Sequence, residues 1–355
     1  MKTSHFFEEL ESGNRRPLVI AEVAQAHEGS LGIAHSLIDA VAATGADAIK
    51  FQTHIAEEES TQREPWRVPF SYEDPTRYEY WERMQFTAEQ WQGLADHCGE
   101  KGLIFLSSPF SFAAVDLLDS LGIDAFKVAS GEIENFPLLD RIAACGRPVL
   151  LSSGLSDWKI FDAAIKRVRD RGARVAAFQC TTAYPTQPEQ VGLNVISEMR
   201  DRYRCPVGLS DHSGTIYPSL AAVSMGASMV EVHVTFDRKM FGPDAPASLT
   251  IDELKTLVEG VDFIDRMRKN PADKDRPTVD LKGLSRTFGK SVVASGDLAE
   301  GTILEEKHLA LKKPGDGCPP SDFYKMVGAK LLRPLGKDAL IHWTDLASDD
   351  PKRTN

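Results

Sequence analysis

Gly208-Leu209-Ser210-Asp211-His212-Ser213 and Val230-Glu231-Val232-His233-Val234-Thr235 are two short apolar runs that each end in polar side chains. Read as strands, they put Ser210 with His212 on one face, and Glu231 with His233 and Thr235 on one face, because strand side chains alternate. Two histidines at neighbouring strand ends, facing one interior, make half a cage for a divalent metal, since imidazole is a frequent ligand. The plainer alternative is that each histidine simply closes its strand.

The same strand-then-helix rhythm repeats outward from this pair. Strands are expected at Pro17–Ala24, Asp47–Thr53, Leu103–Pro109, Ala125–Ser130, Pro148–Gly154, Val175–Thr181, Pro206–His212 and Met229–Thr235. Between them, Ile33–Thr44, Ala88–Glu100, Ala113–Leu121 and Trp158–Arg171 carry apolar residues at helical spacing, and Ile251–Arg268 supplies the last helix. Glycines at 45, 102, 146, 172 and 226 mark helix exits. This is the size and rhythm of a TIM (β/α)8 barrel, an α/β fold. A second, mostly β unit of about 60 residues follows, with turn pairs at Glu300-Gly301 and Pro314-Gly315. The expected division is a barrel over 1–269, a Pro-, Lys- and Asp-rich linker over 270–289, the small unit over 290–347 and a frayed tail, Ser348–Asn355.

Polar residues gather at the C-terminal ends of the eight strands, the active-site face of such a barrel. They are Glu22, Lys50 with Gln52, Ser107-Ser108, Lys127 with Ser130 and Glu132, Ser152-Ser153, Thr181-Thr182 with Tyr184, Ser210 with His212, and His233. Desolvated polar groups cost free energy unless paired, and a structural protein would gain nothing from such a ring, so it argues for an enzyme. Lys50 and Lys127, with Ser108, Ser130, Ser152 and Ser210, suit a phosphate and a carboxylate. A Schiff-base role for either lysine is the main chemical competitor. Glu22 and Glu132 can act as acid and base, or as acceptors for substrate hydroxyls. Asp244, in a Gly-Pro-Asp turn after the eighth strand, carries little alone. Residues 54–86 form an unusually long connection holding Trp66, Phe70, Tyr72, Tyr78, Tyr80 and Trp81, read equally as a lid or as an oligomer contact.

Bulk properties narrow the partners. The 355 residues carry a formal net charge of -11, which argues against nucleic acid or an anionic membrane. Five cysteines without paired spacing fit reduced thiols. Neither a signal peptide nor an apolar run of membrane-spanning length is expected, so the reading is cytoplasmic.

Taken in order, the motifs resemble the sialic acid synthase family. They are Ala21-Glu22 with His27-Glu28-Gly29, Lys50-Phe51-Gln52-Thr53, Ser107-Ser108-Pro109-Phe110, Lys127-Val128-Ala129-Ser130-Gly131-Glu132, Ser152-Ser153-Gly154, Cys180-Thr181 with Tyr184-Pro185-Thr186, Gly208–His212, Glu231-Val232-His233 and Gly242-Pro243-Asp244. Lys290–Leu346 resembles the antifreeze-like domain that follows the barrel in that family. The resemblance implies condensation of phosphoenolpyruvate with an N-acylated amino-sugar aldehyde and release of phosphate. It implies phosphoenolpyruvate on Lys50, Ser108, Lys127, Ser130, Ser152 and Ser210. A divalent ion, manganese ahead of magnesium or cobalt, would sit on His212 and His233. The sugar would meet Glu22, Gln52, Tyr184 and Asp244, with Glu132 assisting at the reacting carbon. It further implies a homodimer in which the second domain caps the partner's barrel and a basic residue reaches the sugar, a place filled here by Lys313. Departures cluster on the sugar side: Ala24 and Ala26 stand for Gly and Asn, Thr182 for Asn, Lys313 for Arg, and Ala245 for a common His. They point to an acceptor other than N-acetylmannosamine, as in the branch that builds surface or spore polysaccharide. A Schiff-base aldolase and a non-catalytic carbohydrate-binding relative are the competing functions.

Overall fold

Alternation decides the architecture of the computed structural model, which describes residues 5–276 and 281–347. Eight parallel strands, β1 (Leu18–Ala24), β2 (Ala48–Thr53), β3 (Ile104–Pro109), β4 (Ala125–Val128), β5 (Val149–Ser152), β6 (Val175–Cys180), β7 (Val207–Asp211) and β8 (Met229–Thr235), pair in sequence order. β8 then pairs with β1 and closes the barrel. Each observed strand lies within the span expected from the sequence, coinciding with it at β8 and elsewhere one or two residues shorter at one or both ends.

Along every strand one set of side chains faces the helices and the other faces the axis. Val19, Ala21 and Val23 of β1 join the outer core with Ile49, Phe51, Val230 and Val232. Leu18, Ile20, Ala48, Ile104, Leu106, Leu150, Phe178 and Met229 fill the lower interior. A short helix not expected from the sequence, Phe6–Ser12, inserts Phe6, Phe7 and Leu10 into that same cluster and plugs the N-terminal end. Further along, the axial positions turn polar on most strands, at Glu22, Lys50, Ser108, Lys127, Ser152, Ser210 and Glu231, so the barrel is an apolar cylinder with a polar mouth.

The helices start where their caps dictate. Ser30, Thr87, Ser111, Asp157 and Thr250 each accept a backbone N–H of the first turn, and Thr87 and Thr250 complete reciprocal capping boxes. The connection after β2 is partly ordered into helices, Ala56–Glu59 and Arg77–Met84, with Tyr80, Trp81 and Met84 buried together. Arg83 ties it down through Asp74 (2.8 Å) and Glu28 (3.1 Å).

Contacts divide the chain into one unit up to Asn270 and a second from Pro271. The second unit is built on an antiparallel pair, β9 (Ser291–Ala294) with β10 (Leu309–Lys312), around Val292, Leu304, Met326, Leu331 and Ile341. Part of the stretch read as linker is a two-turn helix, Leu281–Phe288, because Gly315 N–H bonds the Arg286 carbonyl and seats that helix on the small unit. The expected tail lies outside the described residues. No helix among those described is long and apolar enough to cross a membrane.

Candidate active site

A cavity of about 270 Å³ opens at the C-terminal ends of the strands. Strand register determines what meets there. Glu22 of β1 sits level with Lys50 of β2 on one side and His233 of β8 on the other, while Ser210 of β7 is level with Glu231 of β8.

Two ammonium groups occupy the floor. Lys50 Nζ lies 2.7 Å from Glu22 Oε2 and 3.3 Å from Ser108 Oγ. Lys127 Nζ donates to Ser152 Oγ (2.8 Å) and Glu231 Oε1 (3.0 Å). Burial alone would lower Lys50, but the carboxylates of Glu22 and Glu231 outweigh it and raise the ammonium above its usual range. Glu231 shows the converse: burial pushes it up, and the attraction of Lys127 and Lys50 prevails and holds it low. Its Oε2 is buried without a protein hydrogen bond.

His212 and His233 stand side by side at one wall, ring centroids 5.2 Å apart at 70°. His212 Nδ1 lies 2.8 Å from the Thr181 carbonyl, an acceptor only, so Nδ1 carries the proton and Nε2 keeps the lone pair. Burial, and then the neighbouring His233, depress His212 to about 3, so the ring is neutral at physiological pH. Tyr184 stacks on His212 at 4.1 Å, and Asp244 Oδ2 lies 3.9 Å from His233 Nδ1. Two neutral imidazoles sharing one ion at roughly 2.1 Å stand about 5 Å apart centre to centre, so this wall fits a divalent cation. Among the described residues no third His, Cys, Asp or Glu completes a cluster. Water or substrate would therefore supply the other ligands.

The expected residues Glu22, Lys50, Gln52, Ser108, Lys127, Ser130, Ser152, Thr182, Tyr184, Ser210, His212, His233 and Asp244 all line this cavity. Glu132 does not. The chain leaves the sheet at Val128 and winds into a turn, Ser130–Glu132, so strand alternation no longer aims its side chains. Ser130 stays at the wall, where its Oγ accepts the Gly154 N–H, while the Glu132 carboxylate accepts from Asn135 (2.7 Å). Burial raises Glu132 above the usual carboxylate range. Lys313 belongs to the second unit, its ammonium 5.4 Å from the centre of the Phe288 ring.

Glu231, Arg67 and Gln25 also line the cavity and were not among the expected site residues. Glu231 was legible, two positions before His233 on the same face. Arg67 comes from the long connection after β2, lies 4.3 Å over the Tyr184 ring and pairs with Asp244 at 2.5 Å. With Trp66, Phe70, Tyr80 and Trp81 it makes that connection a wall of the cavity. Gln25 is the third.

The NeuB family model matches residues 37–272, two thirds of the chain. The chain belongs to the NeuB family. A SAF domain matches residues 289–347. A human relative, N-acetylneuraminate-9-phosphate synthase, is 35% identical over 93% of this chain and 92% of its own length. N,N'-diacetyllegionaminic acid synthase of Campylobacter jejuni is 31% identical over 92% of this chain and 99% of its own. The crystal structure of the spore coat polysaccharide biosynthesis protein spsE from Bacillus subtilis superposes with a TM-score of 0.63 at 31% identity, covering 95% of this chain and 97% of that one. As a NeuB member the chain is an enzyme of the synthase kind, a barrel joined to a SAF domain.

Proposed function

We propose that this chain condenses phosphoenolpyruvate with an N-acylated amino-sugar aldehyde, releasing phosphate and forming a nine-carbon sugar acid for surface polysaccharide. One observation carries the reading: two buried lysines and four serine hydroxyls share a barrel mouth with a pair of imidazoles. The names of the relatives support the same class of product.

Lys50 and Lys127 would hold the phosphate and carboxylate of phosphoenolpyruvate, with Ser108, Ser130, Ser152 and Ser210 completing the donors. His212 and His233 would hold a divalent ion, which when bound supplies Lewis acidity to a carbonyl oxygen. Glu22, fixed by Gln52, would stand with Tyr184, Asp244 and Thr182 on the sugar side. The methylene carbon of phosphoenolpyruvate then bonds to the aldehyde carbon, leaving positive charge at the phosphate-bearing carbon. Water adds there and phosphate departs by C–O cleavage. The carboxylates of Glu22 and Glu231, each paired with a buried lysine, would face that developing charge. Glu132, whose proton affinity is raised by burial, is the group able to trade a proton with the water once its side chain turns from Asn135. Manganese as the ion, a homodimer with Lys313 serving the sugar, and a cytoplasmic location belong to this reading and rest on the family resemblance.

A Schiff-base aldolase fits less well. Such a lysine needs a lowered pKa, whereas both ammonium groups here are paired with carboxylates. The test is phosphate release from phosphoenolpyruvate with manganese and a panel of six-carbon 2-acylamino aldoses, including 2,4-diamino sugars. Release that needs both a sugar and a divalent ion is expected. Borohydride trapping of a lysine with pyruvate, without metal dependence, would overturn it. Glu132→Gln should abolish turnover and leave phosphoenolpyruvate binding intact.

A further inference from the structure

We propose that Gln25 is a specificity residue of this cavity, presenting a carbonyl oxygen to the acceptor sugar, and that His54 and Glu59 lock its amide in that orientation. The identity of the molecule that meets it rests on the synthase reading; the orientation does not.

Strict alternation along β1 would turn Gln25 away from Glu22. Two observations show why it does not. The register with β2 slips between Glu22 and Ala24, and Ala24 adopts φ 46°, a left-handed conformation seldom taken by residues other than glycine. The slip is a bulge, and bulges re-aim side chains. Gln25 consequently lines the cavity beside Glu22 and is 5% exposed.

Its amide has one consistent assignment. Ionised carboxylates only accept. Glu22 Oε1 lies 2.9 Å from Gln52 Nε2, so Gln52 donates there and turns its Oε1 the other way. That Oε1 accepts from Gln25 Nε2 at 2.5 Å. The second Gln25 N–H faces His54 Nε2 at 3.1 Å, which must hold a lone pair. Nδ1 then carries the proton and donates to Glu59 Oε1 at 2.6 Å. Gln52 Oε1 also lies 3.2 Å from His54 Nε2, but a proton on that nitrogen would oppose two donors across the 3.1 Å contact with Gln25. The His54 ring is stacked between Trp81 (4.0 Å, 17°) and Phe110 (4.6 Å, 8°), which opposes the ring flip that would exchange its nitrogens.

Both N–H groups of Gln25 are therefore taken. Among the described residues its Oε1 has no protein partner, and it is the atom left for a ligand. A carbonyl accepts, so the substrate group that meets it is a hydroxyl or an amide N–H, never a phosphate or carboxylate. Both donors belong to a 2-acylamino aldose. Gln25 thus belongs to the sugar side of the cavity, apart from the lysines that would bind anions.

The orientation is tested without activity, by long-range proton–nitrogen NMR of the full-length 15N-labelled chain, with His54 assigned through His54→Asn. The Nδ1–H tautomer is expected in the wild type, and Glu59→Gln should mix the two tautomers. A wild-type Nε2–H tautomer overturns the lock. The specificity is tested with Gln25→Met, similar in length and unable to hydrogen-bond, using the best-used sugar of the aldose panel. Its KM for the sugar should rise ~10-fold, the worth of one buried hydrogen bond, with KM for phosphoenolpyruvate and the thermal midpoint unchanged. An unchanged sugar KM, or an equal rise for both substrates, overturns the role. If the wild type releases phosphate with no sugar, the synthase reading falls and takes the sugar contact with it, while the NMR result still decides the lock.

Discussion

Lys127 Nζ and Glu231 Oε1 meet at 3.0 Å beneath the cavity, and the same carboxylate oxygen accepts from Ser210 at 3.1 Å and lies 4.0 Å from Lys50 Nζ. Glu231 is thus the direct counter-charge of Lys127, and it adds to the field that Glu22 already places on Lys50 at 2.7 Å. Removing it leaves Lys127 buried without that carboxylate, and breaking a buried pair costs about 3–5 kcal/mol. Glu231→Ala should destabilise the barrel by that amount in urea unfolding, and Glu231→Gln by less because it still accepts from Ser210. An alanine variant as stable as the wild type would show that Lys127 does not depend on this carboxylate.

His212 owes its free Nε2 to the Thr181 carbonyl, which accepts a hydrogen bond from Nδ1–H. His212→Ala and His233→Ala should each weaken manganese binding by at least the ~10–100-fold that loss of an outer-shell partner costs. Calorimetric titration of the folded variants with manganese alone reads this directly. Unchanged affinity in both would place the ion elsewhere.

His27 titrates in the fold at about 3, against 6.5 unfolded, because of burial, then the fields of His54 and Arg83. Its Nδ1 accepts the Gly29 N–H at 3.0 Å, which a second ring proton would break. Between those pH values only the unfolded chain binds the extra proton. The stability is complete above pH 6.5 and is lost as pH falls toward 3, at about 1.4 kcal/mol per pH unit. Glu28, raised to about 7 mainly by burial, works in the opposite direction over the upper part of this range. Comparison with His27→Gln isolates the histidine: the stability gap between wild type and variant should shrink from pH 7 to pH 4. A gap of constant size would contradict it.

Gly154 has no room for a side chain. A Cβ there would come within 2.4 Å of Thr182 Oγ1, 2.6 Å of Ser130 Oγ and 3.1 Å of Cys180 Sγ. Gly154→Ala should therefore push aside the hydroxyls of the cavity wall and raise KM for phosphoenolpyruvate ~10-fold or more, as small misplacements of binding groups do. A variant with unaltered KM would mean Ser130 does not touch that substrate.

What the sequence made legible follows from alternation. Wherever a strand is regular, as at Lys50, Ser108, Lys127, Ser152, Ser210, Glu231 and His233, the facing of a side chain could be counted from its neighbours, and the barrel with it. Counting failed where the backbone breaks step. After Val128 the chain turns, so Glu132 leaves the cavity that Lys127 and Ser130 line. At Ala24 a bulge brings Gln25 in, and no residue pattern announces a left-handed alanine. Arg67 was out of reach for another reason: it lies in an irregular connection, fixed only by what it touches, Tyr184 and Asp244. The plug of Phe6, Phe7 and Leu10 is too short a helix to show a period.

The cavity wall matches its cations with anions: Lys50 with Glu22, Lys127 with Glu231, Arg67 with Asp244. A chamber so balanced has little net attraction to offer a multiply charged phosphate ester arriving alone. A dication on the two imidazoles would tip the balance, and by thermodynamic reciprocity the ester would tighten the dication in equal measure. On the proposed reading, each guest tightens the other, so the chamber's grip on phosphoenolpyruvate is greatest once the dication is in place.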